Sequence, residues 1–434
     1  STELTDIMFG TPVPIRSIVD IGVLQSDQVN VTVHGHEPLL AESLCLAAQE
    51  DDMLALAKKA GAKGINLVGV CCTGNEILMR RGIPVAAGFI QQEIVLATGA
   101  VEAMVVDIQC IMQSVAEVAK SFHTDIITTN YRAKMEGAVH IQFEDDNAMA
   151  IAKQILTHAI GNFKKRGKFY IPESKKLDVV AGFSHETINY IQGGHFRASY
   201  RPLNDNIING RIRGVAAMVG CDNFKYSDDT HEKIARELIK NNVLVLATGC
   251  SATALGRAGL LRPEAAAEFA GPGLAEVCET LGTPPILHMG SCVDNSRLLL
   301  AVTQMVAEGG LGDRVSDLPV AGTSPVWMSE KAVAIGQYFV ASGVYVIFNN
   351  LPITGAKKFT KYMAEGCEEE LGGKWDMEAD PIKLAHKMIA HIDKKREALG
   401  INKAQDRVLF DMDMRRDLGS GNIAGAGCSG PTPS

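Results

Sequence analysis

The sequence predicts an α/β protein built as two doubly wound, Rossmann-like domains of parallel sheet. Three observations predict it. The 434 residues exceed what one hydrophobic core organises, so two domains of roughly 200 residues are the default. Strand-like runs are continuous in Val, Ile and Leu rather than alternating with polar residues, as in sheets buried on both faces. Helical patterns separate those runs throughout. In the first series the strands are "VNVTV" (29–33), "GINLVGV" (64–70), "AMVVDI" (103–108) and "DIITT" (125–129). The stretch 146–167 repeats apolar residues at three- and four-residue spacing, which predicts a helix. "YIPESKK" (170–176) has the Pro and charges of a connector. The second series is "DVVAGF" (178–183), "GVAAMVG" (214–220), "NVLVLATG" (242–249), "PILHMG" (285–290), "LPVAG" (318–322) and "GVYVIF" (343–348). The expected domains are therefore 1–170 and 171–404, split near 168–177, with a C-terminal tail at 405–434 that is disordered at its end.

Composition narrows the function classes. The chain is 46% hydrophobic and 21% charged, with a net charge of −8 and both signs interspersed. That excludes a nucleic-acid-binding surface and a polybasic membrane patch. No apolar run reaches the roughly 18 residues of a membrane helix. No signal peptide opens the sequence, and the first residue is Ser, so a processed chain or a piece of a longer one is expected. Ten cysteines in this length are too sparse for a disulfide scaffold. A reducing, cytoplasmic setting with metal-binding or catalytic cysteines is the expectation.

The cysteines sort by position. In open α/β sheets ligands bind at the carboxyl ends of strands, where helix N-termini also point. Five strands end there in cysteine: Cys71 with Cys72, Cys110, Cys221, Cys250 and Cys292. A sixth, "VNVTVHGH", ends in His34 and His36. Cys45, Cys278 and Cys367 lie in helical patterns and Cys428 in the tail. One cysteine at a strand end is ordinarily a small buried hydrophobe, but repetition at five ends plus histidine argues for a metal site. Soft thiolates select zinc, copper(I) or iron–sulfur clusters. Structural zinc prefers four ligands in closely spaced C-x-x-C pairs, and a simple four-iron cage takes four cysteines. Five cysteines and a histidine exceed both, which suggests a compound cluster with an additional metal in the crevice between the domains.

The motifs "VHGHEPLLAE", "GVCCTGNEILMRRGIP", "DIQCIM", "VGCDN", "NNVLVLATGCSA", "HMGSCVDNSR" and "WMSEKAVAIG" resemble the catalytic portion of the anaerobic nickel–iron–sulfur carbon monoxide dehydrogenases. The type that works with acetyl-CoA synthase is the nearest, and the resemblance runs to about residue 400. It implies reversible oxidation of CO with water to CO₂, two protons and two electrons at a cluster of nickel, iron and sulfide. It implies that His36 and Cys110 hold an outer iron, that Cys72, Cys221 and Cys250 hold cage irons, and that Cys292 holds nickel. His34 remains the alternative to His36, or a group that orients the loop. Cys71 becomes a neighbour of the cluster. Lys331 is the implied catalytic residue, stabilising negative charge on the reacting group, although a helical Lys is ordinarily a solvated one. Ile335, four residues on, is implied to crowd the CO site, its bland alternative being core packing. His231 is taken as structural, and His288 as a group ahead of the Cys292 turn. A homodimer, an acetyl-CoA synthase subunit and a ferredoxin-like electron acceptor are the implied partners.

The sequence also departs from that family. Its members carry an N-terminal helical domain with electron-relay 4Fe–4S clusters and an active-site histidine, and no relay-type cysteine run occurs in these residues. The relay is therefore expected outside this segment, on the same polypeptide or another. Gln113 stands where the resemblance leads to Pro. Two other readings compete. A hybrid-cluster-type redox protein that reduces small nitrogen oxides would recruit Glu ligands, whereas Glu37 and Glu76 lie just beyond strand ends. A non-catalytic scaffold with structural cysteines would bind no iron.

Overall fold

The computed structural model describes residues 2–402 apart from 194–197, 227–228, 329 and 351–354. Residues up to Asn402 belong to one compact unit. The tail at 405–434, Cys428 included, lies outside the described residues.

Fourteen strands form one sheet. In chain order they are β1 (Ile15–Val19), β2 (Val29–His34), β3 (Ile65–Val70), β4 (Val85–Ala87), β5 (Ala103–Val106), β6 (Asp125–Thr128) and β7 (Val139–His140), then β8 (Leu177–Ala181), β9 (Gly214–Met218), β10 (Val243–Ala247), β11 (Ile286–His288), β12 (Val320–Ser324), β13 (Tyr345–Phe348) and β14 (Lys374–Met377). The spatial order is β14-β13-β12-β9-β10-β11-β8-β1-β4-β3-β2-β5-β6-β7. Every described pairing is parallel except β1 with β8, which is antiparallel. The two expected series are thus two parallel halves of one mixed sheet, joined at β1–β8. Leaving out the joining strand, each half has the same winding, β4-β3-β2-β5-β6-β7 and β11-β10-β9-β12-β13-β14. That winding reverses between β2 and β5 and between β9 and β12, which are the places where open α/β sheets collect ligands.

Both faces of the first half are buried, which explains its continuous apolar runs. Val105 packs on one face with Leu40, Leu44 and Ile155. Its neighbours Met104 and Val106 pack on the other with Leu96, Val101 and Val115. The helix expected at 146–167 runs Ala148–Asn162, with single 3₁₀ turns before and after it. Four strands escaped the pattern reading. β4 and β7 are three and two residues long. β1 (IRSIV) and β14 (KWDM) carry charged residues and are only partly buried. Among the described residues no helix is long and apolar enough to cross a membrane.

The antiparallel joint opposes the strand directions of the two halves, so a flat sheet would send their carboxyl ends to opposite edges. Twist removes the conflict. Five pairings separate β3 from β10. At about 20–25° each they rotate the two strands by about 100–125°, which turns their carboxyl ends toward each other.

The helix Pro381–Ala398 closes the second half, its first turn capped by Asp380, which accepts from the Lys383 amide at 2.8 Å. Its His391 stacks on Tyr345 at 4.4 Å between ring centroids. Burial, reinforced by Lys395 and Lys374, pulls the His391 imidazole down to about 4. The unfolded chain takes up that proton near pH 6.5. Stability is therefore complete above about pH 6.5 and falls as the pH drops toward 4, by up to roughly 3 kcal/mol. His391→Phe, which keeps the ring contact, should lose less melting temperature than the wild type between pH 7 and pH 5 in scanning calorimetry.

Candidate metal centre

Each expected ligand follows a strand at its carboxyl end: His36 after β2, Cys72 after β3, Cys110 after β5, Cys221 after β9, Cys250 after β10 and Cys292 after β11. His36 and Cys110 flank the reversal point of the first half. Cys221 and, beyond β12, Lys331 flank that of the second. Cys71 and Cys72 open the helix Cys71–Arg81, and Cys250 lies in the first turn of Gly249–Arg257. Cys292 opens a 3₁₀ turn that leads into Asn295–Glu308. Helix N-termini present N–H groups and partial positive charge, which favour thiolates.

His36 is oriented by its neighbours. Its Nδ1 lies 3.1 Å from the Ile108 carbonyl. Since a carbonyl only accepts, Nδ1 carries the hydrogen and Nε2 is left for the site. Lys331 Nζ stands 2.6 Å from that Nε2. Burial disfavours charge on His36, yet Cys72 and Cys110 outweigh it and push the imidazole up to about 11. The partner thiols respond in kind. Hydrogen bonds from Cys292 and Cys71 pull Cys72 well down. A hydrogen bond from Cys71, aided by His36, pulls Cys110 down to about 5. Contact with Cys72 pushes Cys292 well up, and burial pushes up Cys221, which also feels the charge of Cys250, Cys110 and Cys72.

Cys71 sits among these thiols rather than apart from them. Its Sγ is 3.4 Å from Cys250 Sγ, and it also hydrogen-bonds Cys110 and Cys72. The backbone bends to achieve this. Cys71 has φ 61°, and Gln109 and Cys110 have φ 63° and 55°. Non-glycine residues held left-handed cost of order 1–3 kcal/mol each and gather at functional sites. Among the described residues no three His, Cys, Asp or Glu are grouped to hold a single metal ion. A cage of irons makes a different demand, because each thiolate binds its own iron.

Lys331 and Ile335 lie one turn apart on the helix Glu330–Ala341. With Cys292, Val293 and Tyr338 they line an open cleft of about 410 Å³. Burial opposes the Lys331 charge, but Cys72, Cys110 and Cys292 raise its ammonium above the ordinary lysine value. His34, the alternative to His36, is fully buried, with Nε2 3.1 Å from Gln92 Oε1. His231 donates from Nε2 to the Cys221 carbonyl at 2.9 Å. His288 reaches Asn75.

Several supporting residues went unnoticed in the sequence. Asp107 follows β5 directly and is buried. It accepts from the amides of His36, Ile108 and Glu37 and from the Thr73 hydroxyl. A Cβ on Gly35 would fall 1.7 Å from Asp107 Oδ1, so only glycine fits there. Gln92 accepts from the Met112 amide at 2.9 Å and donates to the Cys110 carbonyl at 3.4 Å, holding the left-handed turn. Behind Cys292, the Ser291 hydroxyl meets Glu76, and the Ser291 amide donates to Asp294 at 2.9 Å. Arg297, without exposure, binds Asp294 at 3.1 Å and Asp6 at 2.7 and 2.9 Å. Arg80 joins Asp6 to Glu76. An acid inside an apolar run, such as Asp107 in "VVDIQC", was the available signal.

The profile of the Prismane/CO dehydrogenase family matches residues 1–382. Carbon monoxide dehydrogenase 1 of Methanosarcina mazei is 48% identical over 406 residues, covering 93% of this chain and 63% of the relative. The carbon monoxide dehydrogenase/acetyl-CoA synthase subunit beta of Moorella thermoacetica is 42% identical over 418 residues, covering 93% and 61%. The crystal structure of the nickel-free carbon monoxide dehydrogenase from Thermococcus sp. AM4 superposes with a TM-score of 0.88 at 46% identity, covering 92% of this chain and 62% of that one. The chain thus spans somewhat under two thirds of the length of these relatives.

Gly249 offers a direct test of the site's packing. It has φ 61°, and a Cβ there would lie 2.6 Å from Cys292 Sγ. Gly249→Ala should lower stability in urea unfolding by about 1–2 kcal/mol, the cost of a left-handed alanine, and should speed alkylation of Cys292 as read by peptide mapping.

Proposed function

The chain belongs to the Prismane/CO dehydrogenase family, and on that premise we propose that it is the catalytic part of an anaerobic nickel–iron–sulfur carbon monoxide dehydrogenase. Its reaction is CO + H₂O ⇌ CO₂ + 2H⁺ + 2e⁻. One observation carries the reading: thiols from both halves of the sheet, His36 Nε2 and Lys331 Nζ converge beside one cleft. The two halves are read as Rossmann-like domains, 1–170 and 171–404, with the cluster between them. A reducing cytoplasm suits such a set of free thiols.

The donor set fits the group. Soft thiolates and one imidazole nitrogen suit iron, sulfide and nickel. Cys72, Cys221 and Cys250 would hold cage irons, Cys292 nickel, and His36 with Cys110 the outer iron. His36 contacts Cys72 as well as Cys110, so Cys72 is the alternative thiolate for that iron. When bound, such a cluster binds CO, activates water and takes up two electrons.

The chain's own residues do the rest. Lys331 presents a fixed ammonium beside Cys292, where it stabilises negative charge building on the reacting group. Ile335 walls the same cleft and limits its occupants to small molecules. Cys45, Cys278 and Cys367 are each buried singly in a different helix, and relay 4Fe–4S clusters are proposed to lie on residues outside this segment. A homodimer, an acetyl-CoA synthase subunit and a ferredoxin-like acceptor are the proposed partners. The hybrid-cluster reading is weaker because its carboxylate ligands are engaged elsewhere. Glu37 caps the Leu39 amide, and Glu76 pairs with Arg80.

Metal analysis of anaerobically purified protein decides between the readings. Nickel, iron and sulfide together are expected, and Cys292→Ala should lose nickel while keeping iron. Iron without nickel in the wild type would favour the hybrid-cluster reading, and a colourless, iron-free protein would sink both. Lys331→Ala should slow CO-dependent bleaching of the cluster, followed by stopped flow, by about 10²–10³-fold; an unchanged rate would remove Lys331 from the catalytic role.

A further inference from the structure

Asn75 lies in the helix Cys71–Arg81, three residues past Cys72, and has no exposure. Its side chain joins the start of its own helix to two other elements. Nδ2 is 2.8 Å from the carbonyl of Cys71, the left-handed residue that follows β3 and opens the same helix. The same Nδ2 is 3.3 Å from the carbonyl of Gly249, the residue before Cys250. Oδ1 is 2.8 Å from Nε2 of His288, the last residue of β11, four positions before Cys292. Thr253 Oγ1 completes the set at 3.3 Å from Nδ2.

We propose that Asn75 is a positioning residue of the metal centre: it holds the Cys71–Cys72 turn in register with the Gly249–Cys250 turn across the joint of the sheet, and His288 fixes the direction of its amide. The proposal rests on the reading that Cys72 and Cys250 hold the cluster.

Hydrogen-bond chemistry settles the orientation. Backbone carbonyls only accept, so the amide nitrogen must face Cys71 and Gly249, and Oδ1 must face His288. His288 therefore carries its hydrogen on Nε2. Its Nδ1 is buried and has no partner among the described residues. Burial holds the ring neutral, with its pKa pulled down to about 4. Asn75, His288, Thr253 and Cys71 are all buried, so each group left unpaired would carry its full desolvation cost. Both carbonyls belong to left-handed residues, Cys71 at φ 61°, where a side chain makes that conformation costly, and Gly249 at φ 61°, where glycine adopts it freely. One amide thus ties together two turns that would otherwise relax independently, and the thiols of Cys71 and Cys250 meet at 3.4 Å just beyond it. A residue that served only to stabilise the helix would need neither the Gly249 carbonyl nor a histidine from the other half of the sheet.

The test reconstitutes the 434-residue chain anaerobically with iron, sulfide and nickel, and compares the wild type with Asn75→Ala, His288→Leu and His288→Gln. A glutamine amide can place an N–H close to that of His Nε2. Asn75→Ala and His288→Leu should retain about tenfold less iron against a competing chelator and lose the paramagnetic signature of the wild-type reduced cluster. Their far-UV circular dichroism should be unchanged. His288→Gln should restore both iron retention and signature. Wild-type iron retention in Asn75→Ala or His288→Leu would overturn the proposal, as would His288→Gln behaving like His288→Leu. If Asn75→Ala does not fold, the two His288 variants decide. A wild-type chain that takes up no iron overturns the cluster reading itself, and the proposal with it, before any substitution is compared.

Discussion

β1 and β8 pair antiparallel over five residues, Ile15 with Ala181 through Val19 with Leu177, and that pairing sets the direction of every other strand. Two parallel halves of the same winding are fused through it into one sheet with opposed strand directions. Backbone twist then does the work that a hinge or a linker does in other two-part sites. Because twist has a fixed hand and accumulates from pair to pair, the place where the two sets of carboxyl ends meet is determined once the joint is made. The thiols inherit that position. Short turns after each strand leave them little room to go elsewhere, and the left-handed backbone at Cys71, Gln109 and Cys110 is the local cost of that constraint.

Charge is the second constraint. A cluster of thiols in a low-dielectric crevice resists ionisation unless positive charge stands close by. Here it comes from the Lys331 ammonium and the N-termini of the helices that carry Cys72 and Cys250. The same crevice excludes free carboxylates. Asp107 is bound by backbone amides, Glu76 by Arg80, and Asp294 by Arg297. Anionic sulfur and anionic oxygen are thereby kept in separate compartments a few ångströms apart.

Much of this was legible in the sequence, for identifiable reasons. Strands buried on both faces leave uninterrupted Val, Ile and Leu runs, so ten of the strands were visible, and the residues just after six of those runs named the candidate site positions. β1, the strand at the joint, was not visible. "IRSIV" mixes Arg and Ser with apolar residues because it is only partly buried. The fusion of the halves into one sheet was therefore hidden too. Lys331 was picked out through resemblance, since its helical pattern alone reads as a solvated lysine. Asp107, Gln92 and Asn75 were missed because their partners are backbone groups brought close by the fold, and such pairings leave no spacing to read. The adjacent pair Cys71 and Cys72 stands between these cases. Sequence brought both to the right strand end, and the folded chain sets both thiols among the others, with Cys71 against Cys250.

Asp6 comes from the first described helix, Thr2–Phe9, yet it binds both guanidinium nitrogens of the wholly buried Arg297. Arg297 in turn holds Asp294, whose carboxylate fixes the turn that presents Cys292. Removing one partner from a buried ion pair typically costs about 3–5 kcal/mol, because the other charge is left stranded. Trimming, tagging or splicing within the opening decade of residues therefore amounts to surgery on the Cys292 turn, nearly three hundred positions downstream.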